Sequence, residues 1–117
     1  MEALQLSVNE LNQMILDGKI LEAFEKFYAE DVVMQDNNYP QRIGKDESRK
    51  FEEAFVKGLT EFRGAKLLNT IISDGIVVSE WFMDYTHTDF GVRTYNQVSV
   101  QRWKEGKIIE EKFYYNN

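Results

Sequence analysis

The stretch from Glu22 to Phe55 decides the fold, and it reads EAFEKFYAEDVVMQDNNYPQRIGKDESRKFEEAF. An amphipathic helix ends at Tyr28-Ala29-Glu30-Asp31, and a short apolar strand, Val32-Val33-Met34, follows at once. That strand leads to Asp36, and a polar loop then connects it to another helix that begins near Gly44-Lys45-Asp46. An acid at the inner end of a short strand packed among helices can be held in an apolar cavity. There its pKa would rise and it could act as a base.

The composition limits the class of protein. The chain has 117 residues, which we interpret as one domain spanning 1–117, with room for one core and a modest pocket. A net charge of −6 without a dense block of Lys or Arg argues against nucleic-acid and membrane partners. The absence of cysteine excludes thiolate chemistry, and a single histidine excludes a multi-histidine metal site. No signal-like leader or long apolar run is present, so we expect a cytoplasmic protein.

Apolar residues recur at helical spacing in the first half of the chain. The first predicted helix carries Leu4, Val8, Leu11 and Ile15 and ends at Gly18. The second carries Ile20, Phe24, Phe27 and Tyr28, and the third, over 46–59, carries Phe51, Ala54, Phe55 and Leu59.

Residues after Gly64 alternate with a period of two, which is typical of strands. We predict strands over 67–73, 76–87, 92–103 and 107–115, with a hairpin turn at Asp74-Gly75 and another at 104–106. Helices followed by a strand meander indicate an α+β fold. Its three N-terminal helices would pack on one face of a strongly curved, mostly antiparallel sheet.

The alternation assigns side chains to two faces of this sheet. The outer face, which is turned away from the helices, carries Val78, Phe82, Val98, Val100 and Tyr114. The helices can cover only one face, so we expect a homodimer through this outer face.

With its elements in this order, the chain resembles the nuclear transport factor 2-like superfamily, whose fold is a cystatin-like cone. Within that superfamily it is similar to the SnoaL-like polyketide cyclases and the ketosteroid isomerases. The resemblance extends over essentially the whole chain, and its motifs are Gly18 with Glu22-Ala23, Phe27-Tyr28-Ala29-Glu30-Asp31, Asp36, Ile43-Gly44-Lys45 and Arg102-Trp103 with Gly106-Lys107-Ile108. The superfamily contains enzymes, carriers and non-catalytic partners, so the resemblance implies a fold more directly than an activity.

The resemblance also implies a site. In ketosteroid isomerases the acid at the position of Asp36 is the general base, and a phenol and a protonated acid stabilise the oxyanion. The phenol's position falls at Leu11, or at Asn12 if the helix register slips, and the acid's position falls at Ser99. Both departures argue against steroid isomerisation. The family's dehydratases need histidines inside the cone, and this chain has only His87.

Three residues are candidates for proton transfer: Asp36, Glu111 and His87. Asp36 is a candidate base; alternatively, it caps the following turn or pairs with Arg42. Glu111 falls on the predicted concave face, where an unpaired carboxylate is costly. It is the second acid of a pair with Asp36, hydrogen-bonds Gln97, or reaches solvent or an arginine through a local twist. His87 is either a proton shuttle or a solvated turn residue.

Candidate ligand-binding residues share the predicted concave face: Trp81, Met83, Tyr85, Tyr95, Gln97, Ser99, Phe113 and Tyr115. Aromatic and thioether surfaces suit a flat apolar ligand, although an ordinary core would use the same residues. Tyr39, Tyr85 and Tyr95 are the phenols that could replace the missing oxyanion donor, and Tyr95 is favoured. No phosphate-cradling glycine motif and no metal-ligand set is present, so we expect neither a cofactor nor a metal.

We therefore expect a small-molecule enzyme of the isomerase, cyclase or dehydratase type that abstracts a proton next to the carbonyl of an apolar compound. The alternatives are a non-catalytic ligand-binding or dimerisation module and, with only the fold in its favour, a transport adaptor. An enzyme should bring at least two of five polar groups to one apolar void: Asp36, Tyr95, Gln97, Ser99 and Glu111. If the interior is packed solid, or if Asp36 is tied to Arg42, the catalytic hypothesis fails.

Overall fold

The computed structural model describes residues 2–116. Within this range the elements are α1 (Glu2–Leu16), α2 (Ile20–Phe27), β1 (Tyr28–Asp36), β2 (Arg42–Ile43), α3 (Lys45–Gly58), β3 (Leu59–Ser73), β4 (Ile76–His87), β5 (Gly91–Lys104) and β6 (Lys107–Tyr115). One sheet holds the strands in the order β2-β1-β6-β5-β4-β3. Among the strands within residues 2–116, β1 and β6 are the only parallel pair. The predicted α+β cone, with three helices and a mostly antiparallel sheet, is confirmed.

Local turn chemistry sets the ends of several elements. Gly18 has a φ of 79°, and the Lys19 N–H donates to the Met14 carbonyl at 2.8 Å, which is the usual glycine-terminated helix end. Asp74 and Gly75 both have positive φ, 49° and 77°, as a two-residue hairpin between β3 and β4 requires. Both turns lie where the sequence predicted them.

The strand β3 is longer than predicted. It begins at Leu59 rather than at residue 67, and its pairing with β4 shifts register near Leu59, Phe62 and Leu67. Such bulges bend a strand and increase its twist, which helps to curve the sheet into a cone. The short strand β2 was not predicted; it pairs with β1 through Ile43 and Arg42.

The inner face of α3 is more polar than predicted. Lys45 and Ser48 are buried, whereas Phe51 is 41% exposed and Ala54 is also exposed. The predicted apolar stripe is therefore wrong at Ala54, whereas Phe51 and Phe55 line the space between this helix and the sheet. The helix instead turns inward the face that carries Lys45, Ser48 and Glu52, which are spaced by three and four residues.

The two faces of the sheet differ in burial. Every second residue of β4 from Val77 to His87 is buried, which confirms the predicted alternation. On the outer face Tyr114 is 46% exposed, and Val78 and Phe82 are half-buried. The homodimer through this face stays a prediction. No helix within residues 2–116 is long and apolar enough to cross a membrane.

Candidate active site

A cavity of about 700 Å³ lies between the helices and the concave face of the sheet. Its walls come from α1, α2, α3 and the inward side of β4, β5 and β6. Tyr39, Phe51 and Phe90 line it and are exposed, so they mark its open end. Tyr28, Trp81 and other buried residues form the enclosed part. The volume lies in the range of small-molecule sites.

Most of the candidate site residues line this one cavity. Those that do are Asp36, Trp81, Met83, Tyr85, Tyr95, Gln97, Ser99, Glu111, Phe113 and Tyr115. His87 is not among the lining residues. The interior is therefore not packed solid, and all five of the polar groups expected to converge in an enzyme border the same space.

Glu111 is a buried acid held by three hydrogen-bond donors. Tyr28 Oη and Ser99 Oγ donate to its two carboxylate oxygens, the latter at 2.8 Å, and Gln101 Nε2 donates at 2.7 Å. Trp103 Nε1 in turn donates to the Gln101 amide oxygen at 2.9 Å, which fixes that amide. Burial raises the pKa of Glu111, and the hydrogen bonds from Tyr28, Gln101 and Ser99 oppose the rise.

Glu52 is a further acid that lines the cavity, beside Asp36 and Glu111, and sequence reasoning missed it. It lies on the inner face of α3 and keeps some accessible surface because it borders the cavity. Burial, and next the charge of Glu111, raise the pKa of Glu52 to about 7, while Arg42 opposes the rise. None of the hydrogen bonds or ion pairs within residues 2–116 involves its carboxylate. Glu52 is therefore a free carboxyl group that titrates near neutral pH.

Asp36 borders the cavity, but both of its carboxylate oxygens are occupied. Arg42 Nη2 donates to Oδ1 at 2.9 Å, and Tyr115 Oη donates to Oδ2 at 2.7 Å. The Arg42 guanidinium also lies 3.8 Å from the centre of the Phe51 ring. The pairing with Arg42 was one of the two alternatives open for this residue. The pair with Arg42 meets the condition that counts against Asp36 as the catalytic base.

A pair of tyrosine hydroxyls lies on the wall formed by β4 and β5. Tyr85 Oη and Tyr95 Oη are 2.7 Å apart, so one hydroxyl donates to the other. The accepting hydroxyl keeps a proton that it can direct into the cavity. Burial, and next the hydrogen bond with Tyr85, raise the pKa of Tyr95, so this phenol stays protonated. The pair can supply a donor to a developing oxyanion.

His87 is packed among aromatic side chains and does not line the cavity. It is only 3% exposed, so its expected solvation is wrong. Its ring stacks between Phe55 and Phe90, with centroids 5.3 Å and 4.5 Å away. Nε2 donates to the Phe55 carbonyl at 3.0 Å, and Nδ1 accepts from the Asp89 N–H at 3.1 Å. Both ring nitrogens are used outside the cavity, which gives the ring no route to a bound ligand.

The two positions that depart from the isomerase pattern have clear surroundings. Leu11 is fully buried and lines the cavity as an apolar residue, whereas Asn12 is buried but not among the lining residues. Ser99 donates to Glu111 instead of offering an acid of its own. Within residues 2–116 no group of three His, Cys, Asp or Glu side chains is placed to hold a metal ion.

Comparison with known proteins identifies the fold family. The family model of the SnoaL-like domain matches residues 8–111. The resemblance inferred from the sequence is thereby confirmed. None of the curated proteins compared with the chain matches it.

Solved structures share the fold over nearly all of the chain. A protein from Mesorhizobium loti, provisionally named a SnoaL-like polyketide cyclase, is 22% identical with a TM-score of 0.84, over 95% of this chain and 97% of its own. A nuclear transport factor 2-like protein of unknown function from Burkholderia pseudomallei is 18% identical, with a TM-score of 0.83, over 99% and 92%. A provisionally named polyketide cyclase from Xanthomonas campestris is 20% identical, with a TM-score of 0.76, over 98% and 91%. At these identities the likeness concerns the fold.

Proposed function

The chain belongs to the SnoaL-like domain family, and on that premise we propose that it is an isomerase- or cyclase-type enzyme. It would abstract a proton next to the carbonyl group of a small apolar compound. The observation that carries the proposal is the convergence of a free acid, Glu52, and a held acid, Glu111, on one largely apolar cavity. Titratable groups with raised pKa values in a cleft are a frequent mark of a catalytic site.

Glu52 is the proposed base. With a pKa of about 7 it is partly ionised at neutral pH, so it can take a proton from carbon and return it. Glu111 would have a positioning role, because its charge is the second cause of the raised Glu52 pKa. Asp36, the base implied by the resemblance, accepts hydrogen bonds from Arg42 and Tyr115 and takes no part in the proposed proton transfer.

The oxyanion of the enolate needs a donor on the opposite wall. The hydroxyl pair of Tyr85 and Tyr95 provides one, and the Gln97 amide lies one inward position further along β5. Returning the proton to a different atom gives an isomerisation. Alternatively, the enolate carbon attacks a second carbonyl of the same molecule, whose C=O π bond breaks as the ring closes, and the resulting alkoxide takes back the proton held by Glu52; this gives a cyclisation.

The test is hydrogen–deuterium exchange of a ketone in D2O, followed by NMR. With 2-tetralone and a set of polycyclic ketones, the protein should accelerate loss of the α-proton signal. Glu52→Gln should lower this acceleration by about 10²- to 10⁴-fold, the usual contribution of a general base. Glu53→Gln is the matched control, because its carboxylate lies on the exposed side of α3. Equal rates in the two variants would remove Glu52 from the mechanism.

A non-catalytic ligand-binding module is the second candidate, and the engaged state of Asp36 favours it. The same experiment separates the two functions. Trp81 lines the cavity, so ketone binding should change the tryptophan fluorescence. Ketones that bind by this measure but exchange no faster than in buffer would support the binding module against the enzyme.

A further inference from the structure

Arg93 differs from the other arginines in having no acidic partner. Within residues 2–116, four arginines form ion pairs with carboxylates: Arg42, Arg49, Arg63 and Arg102. Arg93 instead donates from Nη2 to the Asn116 carbonyl at 3.0 Å, and its guanidinium lies 4.7 Å from the centre of the Tyr95 ring. A guanidinium carries five N–H donors, so most of those on Arg93 are available to a ligand.

The position of Arg93 gives the cavity two chemically different ends. The lining residues of β5 are Arg93, Tyr95, Gln97, Ser99 and Gln101. Arg93 is half-buried and lies at the first position of this row, near the exposed Phe90 at the open end. At the other end of the row, Ser99 and Gln101 donate to the buried carboxylate of Glu111. Six residues of extended strand from Arg93 to Ser99 span roughly 20 Å. One row of side chains thus connects a cationic rim to an acidic floor.

We infer that the ligand is an amphipathic monocarboxylate whose carboxylate binds Arg93 at the rim while its apolar body extends toward the floor. The inference rests on the proposed function only in using the same cavity as the binding site. An arginine fork matches a carboxylate in a bidentate geometry, and the Tyr95 ring holds the guanidinium in place. Arg42, the other arginine that lines the cavity, already has a carboxylate partner in Asp36, which balances its charge.

The charges also fix the direction in which such a ligand enters. Glu52 and Glu111 repel an anionic group, so the carboxylate stays at the rim and the uncharged end goes to the floor. A reacting carbonyl at that end would then lie beside Glu52. Arg93 would therefore determine which end of the substrate reacts, in addition to contributing affinity.

The test uses a neutral fluorescent reporter and a matched pair of competitors. N-phenyl-1-naphthylamine reports occupation of the apolar cavity, and octanoate and methyl octanoate compete for it at about pH 8, where the acid is ionised. Arg93→Gln should weaken octanoate roughly tenfold and leave both the reporter and the ester unchanged. Arg93→Lys should recover part of the loss. Arg102→Gln, a change of an exposed arginine on the same strand, should behave as wild type. High salt should reduce the preference for octanoate.

Two results would overturn the inference, and they differ in what else they remove. If octanoate and its ester weaken equally, or neither weakens, Arg93 does not recognise the charge; the ketone-exchange test of the proposed function is unaffected. If the reporter does not bind wild-type protein at all, no ligand enters the cavity. The proposed function then fails together with the inference.

Discussion

Glu52→Gln should stabilise the protein at alkaline pH and change it little in acid. Burial first, and then the charge of Glu111, raise the Glu52 pKa from its ordinary 4.5 to about 7. The difference between these values, 7 minus 4.5, converts to about 3 kcal/mol of unfolding free energy. Glu52 retains some accessible surface, so solvent screens part of this cost, and we expect about 2 to 3 kcal/mol.

The direction of the pH dependence follows from proton binding. Between pH 4.5 and about pH 7 the folded protein keeps the Glu52 proton while the unfolded chain has released it. The free energy of unfolding therefore falls as the pH rises through this window. Below the window both states are protonated, and above it both are ionised and the full cost is present. A glutamine releases no proton, so the variant escapes the loss.

The assay is urea unfolding followed by tryptophan fluorescence from about pH 4 to about pH 9, with Glu53→Gln as the control. The variant should match wild type within experimental error near pH 4, where both states are largely protonated at Glu52, and exceed it by about 2 to 3 kcal/mol near pH 9. This corresponds to a rise in melting temperature of roughly 10 °C. A gap of the same size at every pH would refute the reasoning, because it would not come from the titration of Glu52. A variant less stable than wild type at pH 9 would mean that the carboxylate has a favourable partner.

Tyr28, Gly58 and the outer face of the sheet give three further tests. Tyr28→Phe removes a hydrogen-bond donor from buried Glu111, so the pKa of Glu111 should rise further. The free energy of unfolding, measured in urea, should fall by about 1 to 2 kcal/mol, and by more at pH 8 than at pH 5. Equal decreases at the two pH values would contradict this. Gly58→Ala places a Cβ 2.3 Å from His87 Nε2, so thermal unfolding should show a loss of about 1 to 3 kcal/mol; an unchanged melting temperature would show that the ring can move aside. Phe82 lies on the outer face of the sheet, so Phe82→Arg should convert the predicted dimer into a monomer in sedimentation at micromolar concentration. A wild-type protein that sediments as a monomer would contradict the homodimer.

The order of the elements could be predicted because local signals carry it. Gly18 ends a helix and Asp74-Gly75 closes a hairpin through backbone angles that few other residues adopt. The first half of β3 could not be placed, since residues 59–66 are held by bulged pairing with β4 and not by their own alternation. The two-residue β2 exists only because β1 lies beside it. Where a strand forms only through pairing with its neighbour, its own sequence pattern does not predict it.

Of the acids that line the cavity, Glu111 could likewise be predicted from local sequence, whereas Glu52 could not. Glu111 could be found because an acid between Ile109 and Phe113 on a predicted concave face is conspicuous. Glu52 could not, because Glu52 and Glu53 are adjacent in a charged helix and look alike in sequence. The signal that was available is the spacing of Ser48 and Glu52 by four residues on one helix face. Only packing reveals that this face turns inward.

The cost of Glu52 is itself an argument about function. A glutamine at this position would fill the same space and would remove about 2 to 3 kcal/mol of destabilisation at alkaline pH. Groups that lower stability in this way accumulate where chemistry requires them. A passive pocket for a monocarboxylate would also have little use for two acids, Glu52 and Glu111, on its floor, because they repel the ligand they would have to hold. With Arg93 to keep the anion at the rim, that repulsion instead orients the substrate. The uncharged end then meets a base whose pKa is near neutral.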